Sequence, residues 1–283
     1  MTNSILHYLT EQYSSFTRSE KKLANYILSH STEAQYLSIN SMAENSAVSE
    51  ATITRFCRKL GLSGYNSLKL ALAKSDPVSG STPTASSGDM NTDNGLRETA
   101  LQLCNTYEAA LRETANLIDP VTFNHAVELL VNARHVYCFG HGGSMVIAME
   151  ACARFSVCSS SFIHIADSHM QAMAIALSSS KDVIWYFSYS GATKEYYDLA
   201  KIAKDHHVPI ILITHFKNSS AARIASVVLL CGYNESPLLS GSVPAKMGQL
   251  LLIDCLYTAF YEKNANADSA SAATADAIAQ KHL

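Results

Sequence analysis

Ser188, Ser190 and Thr193 place three hydroxyls within six residues, with Gly191 among them. They stand directly after the apolar run Val183-Ile184-Trp185-Tyr186-Phe187 and directly before a helical stretch that begins near Thr193. Hydroxyls at this spacing, a glycine that admits close backbone approach and the unpaired N–H groups of a helix start are what an anion such as phosphate requires. A helix cap needs one hydroxyl, so three exceed that simpler role. A second turn of the same kind, Phe139-Gly140-His141-Gly142-Gly143-Ser144, also follows an apolar run and opens a helix, and its Ser144 adds a fourth hydroxyl. Such turns suit a phosphate and not a metal ion.

The remaining chemistry-bearing residue types give less. His135, His164, His206, His207 and His215 lack metal-ligand spacing and read as hydrogen-bonded structural residues. His141 and His169 fall at the presumed site. The seven cysteines are scattered with no C-x-x-C pair, which argues against a disulfide framework and a zinc site, so they read as reduced and mostly buried thiols. Gly140-His141-Gly142, with Asp167 further on, imitates part of a dinucleotide fingerprint, but Met145 stands where its third glycine belongs. No cofactor and no metal are expected.

Alternating strands and helices must position the two turns. Strands are predicted at 135–139, 161–165, 183–187, 209–214 and 226–230, with helices near 143–157, 168–178, 193–206 and 244–263. Apolar strands separated by helices imply a parallel sheet covered on both faces, whose ligands lie outside the carboxyl ends of the strands. Trp185 and Tyr186 belong to its core.

The first 75 residues follow a different plan. Thr17-x-x-Glu20 is a capping box for a helix over about 18–29, and Ser41-x-x-Glu44 reads as a second one. Ser49 caps a third helix in which Ile53, Phe56, Cys57 and Leu60 share a buried face, with Gly61 as its stop. Its other face gathers Thr52, Arg55, Arg58 and Lys59. Two short helices with a tight turn, the second basic, form a helix-turn-helix pattern that enters the major groove of DNA; the plainer alternative is a bundle with a solvated charged face. Residues 1–75 carry eight Lys and Arg against five acids, whereas the rest carries thirteen against nineteen, so only the first part suits a polyanion.

Composition divides the chain. Residues 76–95 are rich in Ser, Thr, Pro and Gly and read as a flexible linker. The expected domains are therefore 1–75, which is all-helical, 96–263, which is α/β with a leading helix over about 96–117, and a tail at 264–283. With 48% hydrophobic residues, no run long enough to span a membrane and no leader pattern, the expected location is the cytoplasm.

The pairing of the Gly140–Ser144 loop with Ser188-x-Ser190-Gly191-x-Thr193 on a five-stranded α/β domain resembles the sugar isomerase (SIS) domain. Joined to Ser49-Glu-Ala-Thr-Ile-Thr-Arg-Phe-Cys-Arg-Lys-Leu-Gly61, the chain resembles the RpiR/MurR family of bacterial transcriptional regulators. The resemblance implies that Ser144, Ser188, Ser190 and Thr193, with backbone N–H groups around Gly143 and Gly191, hold the phosphate of a sugar effector. It implies that Ser49, Thr52, Arg55, Arg58 and Lys59 face operator DNA, and that His141, Gly143, Asp167, His169, Gln171, Glu235 and Lys246 are available to the sugar. His141 is bulkier than the residue often found in that loop, and Gly241–Lys246 lacks an Arg often present there. The expectation is a repressor of sugar or amino-sugar metabolism, acting as a homodimer or homotetramer without a membrane. The competing expectation is a phosphosugar isomerase or lyase, with Glu235, His141 or His169 as acid or base.

Overall fold

The computed structural model describes residues 4–75, 93–233 and 242–280. The chain forms two compact units, and the division falls after Glu108, inside the long helix α7 (Asp93–Asn116). That helix begins within the stretch read as linker.

The first unit is helical: α1 (Ile5–Glu11), a 3-10 turn at Tyr13–Ser15, α2 (Arg18–Ser29), α3 (Ser31–Ala34), α4 (Ile39–Ser46), α5 (Glu50–Lys59) and α6 (Tyr65–Ser75). Leu23 and Ile27 of α2, Met42 of α4, Ile53 and Phe56 of α5, and Leu68 of α6 meet in one core. The Thr17 capping box of α2 forms as expected, with the Thr17 N–H donating to Glu20 Oε2 at 2.7 Å. The second expected box does not. Ser38 caps α4 by accepting from the Ser41 N–H at 3.1 Å, so the helix starts most of a turn earlier. Ile39 explains the shift, because starting there sets it on the inner face with Met42.

The second unit carries β1 (Val136–Gly140), β2 (Phe162–His164), β3 (Val183–Phe187), β4 (Ile210–Thr214) and β5 (Val227–Leu230), all parallel, in the order β2-β1-β3-β4-β5. Its helices are α8 (Pro120–Asn132), α9 (Gly143–Ser156), α10 (Ser168–Ala176), α11 (Lys194–Asp205), α12 (Val243–Lys263) and α13 (Ala267–Ala279). The expected five-stranded parallel sheet flanked by helices is therefore borne out. Alternation along β3 builds both layers: Val183, Trp185 and Phe187 enter the core under α8, α9 and α12, while Ile184 and Tyr186 enter the core under α10 and α11. Within the tail, Ala267–Ala279 form α13, where Thr274 Oγ1 donates to Val157 O at 2.8 Å.

Two polar ties hold the sheet ends. Asp182, fully buried before β3, accepts from Arg134 Nε at 2.9 Å, Arg134 Nη2 at 2.7 Å and the Ser179 N–H at 2.8 Å. Thr114 Oγ1, near the end of α7, accepts from the Gly232 N–H at 2.9 Å. No helix among the described residues is long and apolar enough to cross a membrane.

Candidate functional site

Strand order decides where the two glycine and hydroxyl turns lie. From β1 the chain crosses to β2 on one side, and β3 lies on the other, so the carboxyl ends of β1 and β3 flank the point where the winding reverses. Such a point opens a crevice for ligand. Gly140 pairs with Phe187 across β1 and β3, so His141 and Ser188 leave the sheet side by side and both turns share that crevice.

In the β3 turn, the Ser188 side chain is buried and its Oγ lies 2.9 Å from Thr193 Oγ1. Thr193 is the N-cap of α11, yet no side chain caps that helix. The simpler role for these hydroxyls is thus not the one they play, and the first N–H groups of α11 face the turn without an intrahelical acceptor. Ser190 Oγ accepts from the Ala192 N–H at 3.3 Å. Gly191 has φ +58°, and a Cβ there would run into the Ser219 side chain and stand 3.3 Å from Thr214 Oγ1. The Gly191 N–H donates to Ser188 O at 3.2 Å, which closes the turn.

The β1 turn complements it. Gly140 lets α9 close over the strand, since a Cβ would stand 2.6 Å from Ser144 O. Gly142, at φ +57°, is the N-cap of α9, and no side chain caps this helix either. Ser144, half-buried, makes no hydrogen bond through its hydroxyl among the described residues, while its N–H donates to His141 O at 3.2 Å. Gly143 opens α9 at the solvent-facing side.

The sugar candidates divide. His141 Nδ1 lies 2.7 Å from the Tyr186 hydroxyl, which explains the bulky residue in this loop, and its Nε2 is buried without a partner. Burial pushes the His141 pKa below its ordinary value, partly offset by Glu195, which favours the neutral ring. Burial pushes the Tyr186 hydroxyl up, keeping it protonated. His169 lies in the first turn of α10 and lines a cavity of about 260 Å³ with Ser168, Gln171 and, from α11, Glu195 and Asp198. Asp167 caps α10, its Oδ1 accepting from the Met170 N–H at 2.9 Å. Lys246 is half-buried in the first turn of α12. Glu235 lies outside the described residues. The sequence did not single out the braces of the β3 turn: Tyr197 Oη donates to Gly191 O at 3.1 Å, and Thr214 Oγ1 donates to Tyr189 O at 3.0 Å. Tyr197, one turn into α11, was detectable only as a residue of the helix the turn opens.

In the first unit, α4 ends at Ala47 in the left-handed conformation (φ 52°), and Ser49 caps α5 by accepting from the Thr52 N–H at 3.2 Å. Ile53, Phe56 and Cys57 turn inward, leaving Ser49, Arg55, Arg58 and Lys59 exposed and Thr52 half-buried. The five expected residues do share one outward face. Lys59 differs from the arginines, because its Nζ pairs with Glu20 Oε2 at 2.8 Å and lies 5.4 Å from the centre of the Phe16 ring.

Two sequence profiles match these units: "Helix-turn-helix domain, rpiR family" over residues 3–78 and "SIS domain" over residues 129–259. An HTH-type transcriptional regulator of Caldanaerobacter subterraneus is 31% identical over 263 residues, covering 93% of this chain and 92% of that one. The chain belongs to the RpiR family of helix-turn-helix transcriptional regulators. The HTH-type transcriptional regulator HexR of Pseudomonas aeruginosa is 29% identical over 90% of this chain and 88% of its own. Among solved structures, the Vibrio vulnificus NanR protein complexed with ManNAc-6P superposes with a TM-score of 0.85 at 26% identity, covering 99% of each chain. The Caldanaerobacter and Pseudomonas relatives span both units and are named as HTH-type transcriptional regulators, so the RpiR-family chain is a transcriptional regulator.

Proposed function

We propose that this regulator is a repressor of sugar or amino-sugar metabolism whose SIS domain senses a phosphorylated sugar in the cytoplasm. The observation that carries the reading is the turn after β3, where clustered hydroxyls stand before an uncapped helix N-terminus and face the Gly140–Ser144 turn across the β1/β3 crevice. Ser144, Ser188, Ser190 and Thr193 take the phosphate. His141, Gly143, His169 and Lys246 surround the sugar, with Glu235 as a further candidate. The NanR complex with ManNAc-6P supports an acylated amino-sugar phosphate as the first compound to try.

Operator DNA is contacted by Ser49, Thr52, Arg55, Arg58 and, through phosphate alone, Lys59. A homodimer or homotetramer presents paired recognition helices to half-sites about 34 Å apart, and the effector weakens that arrangement. Residues 1–75 act as the DNA-binding domain, 76–95 as the connection and 96–263 as the sensor, followed by the tail. The test is a thermal-shift screen of the whole chain against sugar phosphates and amino-sugar phosphates. A ligand that binds only the folded state raises the melting temperature. The shift should disappear in Ser188→Ala/Ser190→Ala, and a shift that persists in the double variant refutes the assignment.

A further inference from the structure

The β3 turn is wired to α7 through the loop that follows β5. Tyr189 stands between Ser188 and Ser190, and its hydroxyl donates to Tyr233 O at 2.7 Å. The N–H of Tyr233 donates in turn to Glu113 Oε2 at 2.8 Å, next to the bond from the Gly232 N–H to Thr114 Oγ1. Glu113 and Thr114 lie in the last turn of α7, the helix that runs back to Asp93. The Tyr189 ring also stacks on His215, with centroids 5.2 Å apart and planes 8° from parallel, and His215 Nδ1 lies 2.9 Å from Cys231 O. Both the ring and the hydroxyl of Tyr189 therefore hold residues 231–233.

Two features make this connection stiff. Tyr233 has φ 82°, a region that residues with side chains rarely adopt and keep only where their surroundings hold it. Here Tyr189 holds its carbonyl and Glu113 its N–H. Packing leaves no slack: a Cβ at Gly232 would stand 2.7 Å from Glu113 Cβ, and one at Gly248 would stand 2.5 Å from Thr114 Oγ1. The loop and the start of α12 thus lie directly against α7.

We propose that Tyr189, Tyr233 and Glu113 form a relay that converts occupancy of the β3 turn into a change in order at the carboxyl end of α7. The proposal rests on the reading of Ser188 and Ser190 as phosphate ligands. An anion held from both sides of Tyr189 restrains the backbone that aims its side chain, which secures Tyr233 and, through it, the last turn of α7. By linkage, whatever loosens Tyr233 also weakens the bound anion.

Hydrogen exchange on the whole chain tests this, with inorganic phosphate and N-acetylmannosamine 6-phosphate as probes and with Tyr189→Phe, Glu113→Ala and Glu113→Gln as variants. In the parent protein, either probe should slow exchange at residues 188–194 and, by about tenfold, at residues 109–116. Tyr189→Phe and Glu113→Ala should keep protection at the turn and lose it in α7. Glu113→Gln, which retains an acceptor oxygen, should restore it. Equal slowing of α7 in all variants overturns the relay. If neither probe protects residues 188–194 of the parent, the phosphate reading has failed, and the relay is decided without ligand. Faster exchange at 109–116 in Tyr189→Phe than in the parent supports it, and identical exchange overturns it.

Discussion

The Ser188 and Thr193 hydroxyls lie 2.9 Å apart, and neither caps the helix that Thr193 opens. A hydrogen bond from Ser188 to a charged phosphate oxygen contributes about 1.5–3 kcal/mol, so Ser188→Ala should weaken binding of a sugar phosphate about 10- to 150-fold. Calorimetric titration measures this. The removed oxygen is small and its side-chain partner among the described residues is another hydroxyl, so the melting temperature of the free protein should barely move. Unaltered affinity would place the phosphate elsewhere.

Gly191 and Gly142 have nearly the same φ, +58° and +57°, in opposite surroundings. A Cβ at Gly191 meets Ser219 and Thr214, whereas one at Gly142 meets nothing within 4 Å. Both alanine variants incur backbone strain of about 1–3 kcal/mol, and only Gly191→Ala adds a steric collision. Urea unfolding should therefore rank Gly191→Ala as the less stable. Equal losses would mean that the Ser219 loop gives way freely.

The difference between these glycines also marks how far the sequence could be read. Both turns, all five strands and the outward face of α5 were legible, because each depends on local periodicity and on residues adjacent in the chain. The start of α4 was not, since Ser38 and Ser41 both offer a capping hydroxyl and packing of Ile39 chooses between them. Neither was the bond that commits the Gly191 N–H to Ser188 O within the β3 turn. His141 bonding Tyr186, Tyr197 bracing Gly191 and Tyr189 reaching Tyr233 join segments 6 to 45 residues apart, which no local pattern encodes.

Asp182 supplies an acid-sensitive tie beneath β3. Its burial would raise its pKa, but the Arg134 fork, the Ser179 N–H and His135 outweigh that and bring it down to about 2. A folded pKa below the unfolded value of about 3.9 stabilises the protein fully above that value, and the contribution falls away as pH drops from about 4 towards about 2. The loss is about 2 kcal/mol at most, because Arg134 is half exposed and screened. Asp182→Asn should flatten the stability profile across that window in acid-dependent urea titrations. A profile identical to that of the parent would show the tie to be inert.

Arg55 and Arg58 are exposed on α5, and among the described residues Arg55 forms a side-chain hydrogen bond, its Nη2 donating to Thr52 Oγ1 at 3.4 Å. Lys59 sits on the same face with its ammonium already paired to Glu20 and set over Phe16. A guanidinium can fork onto a guanine edge, whereas a lysine must leave its partner to reach a phosphate, and that exchange returns little net free energy. Arg55→Ala and Arg58→Ala should each cost about 1–3 kcal/mol of operator affinity if they read bases. Where one contacts phosphate instead, its loss should lower the salt slope by about 1 with little effect on sequence preference. Lys59→Ala should cost less than either arginine and lower the salt slope by less than 1, because Glu20 already offsets part of the ammonium charge. Fluorescence anisotropy across a salt series distinguishes these cases. A Lys59→Ala variant as impaired as the arginine variants would mean that the Glu20 pair opens on DNA and that Lys59 is a full member of the interface.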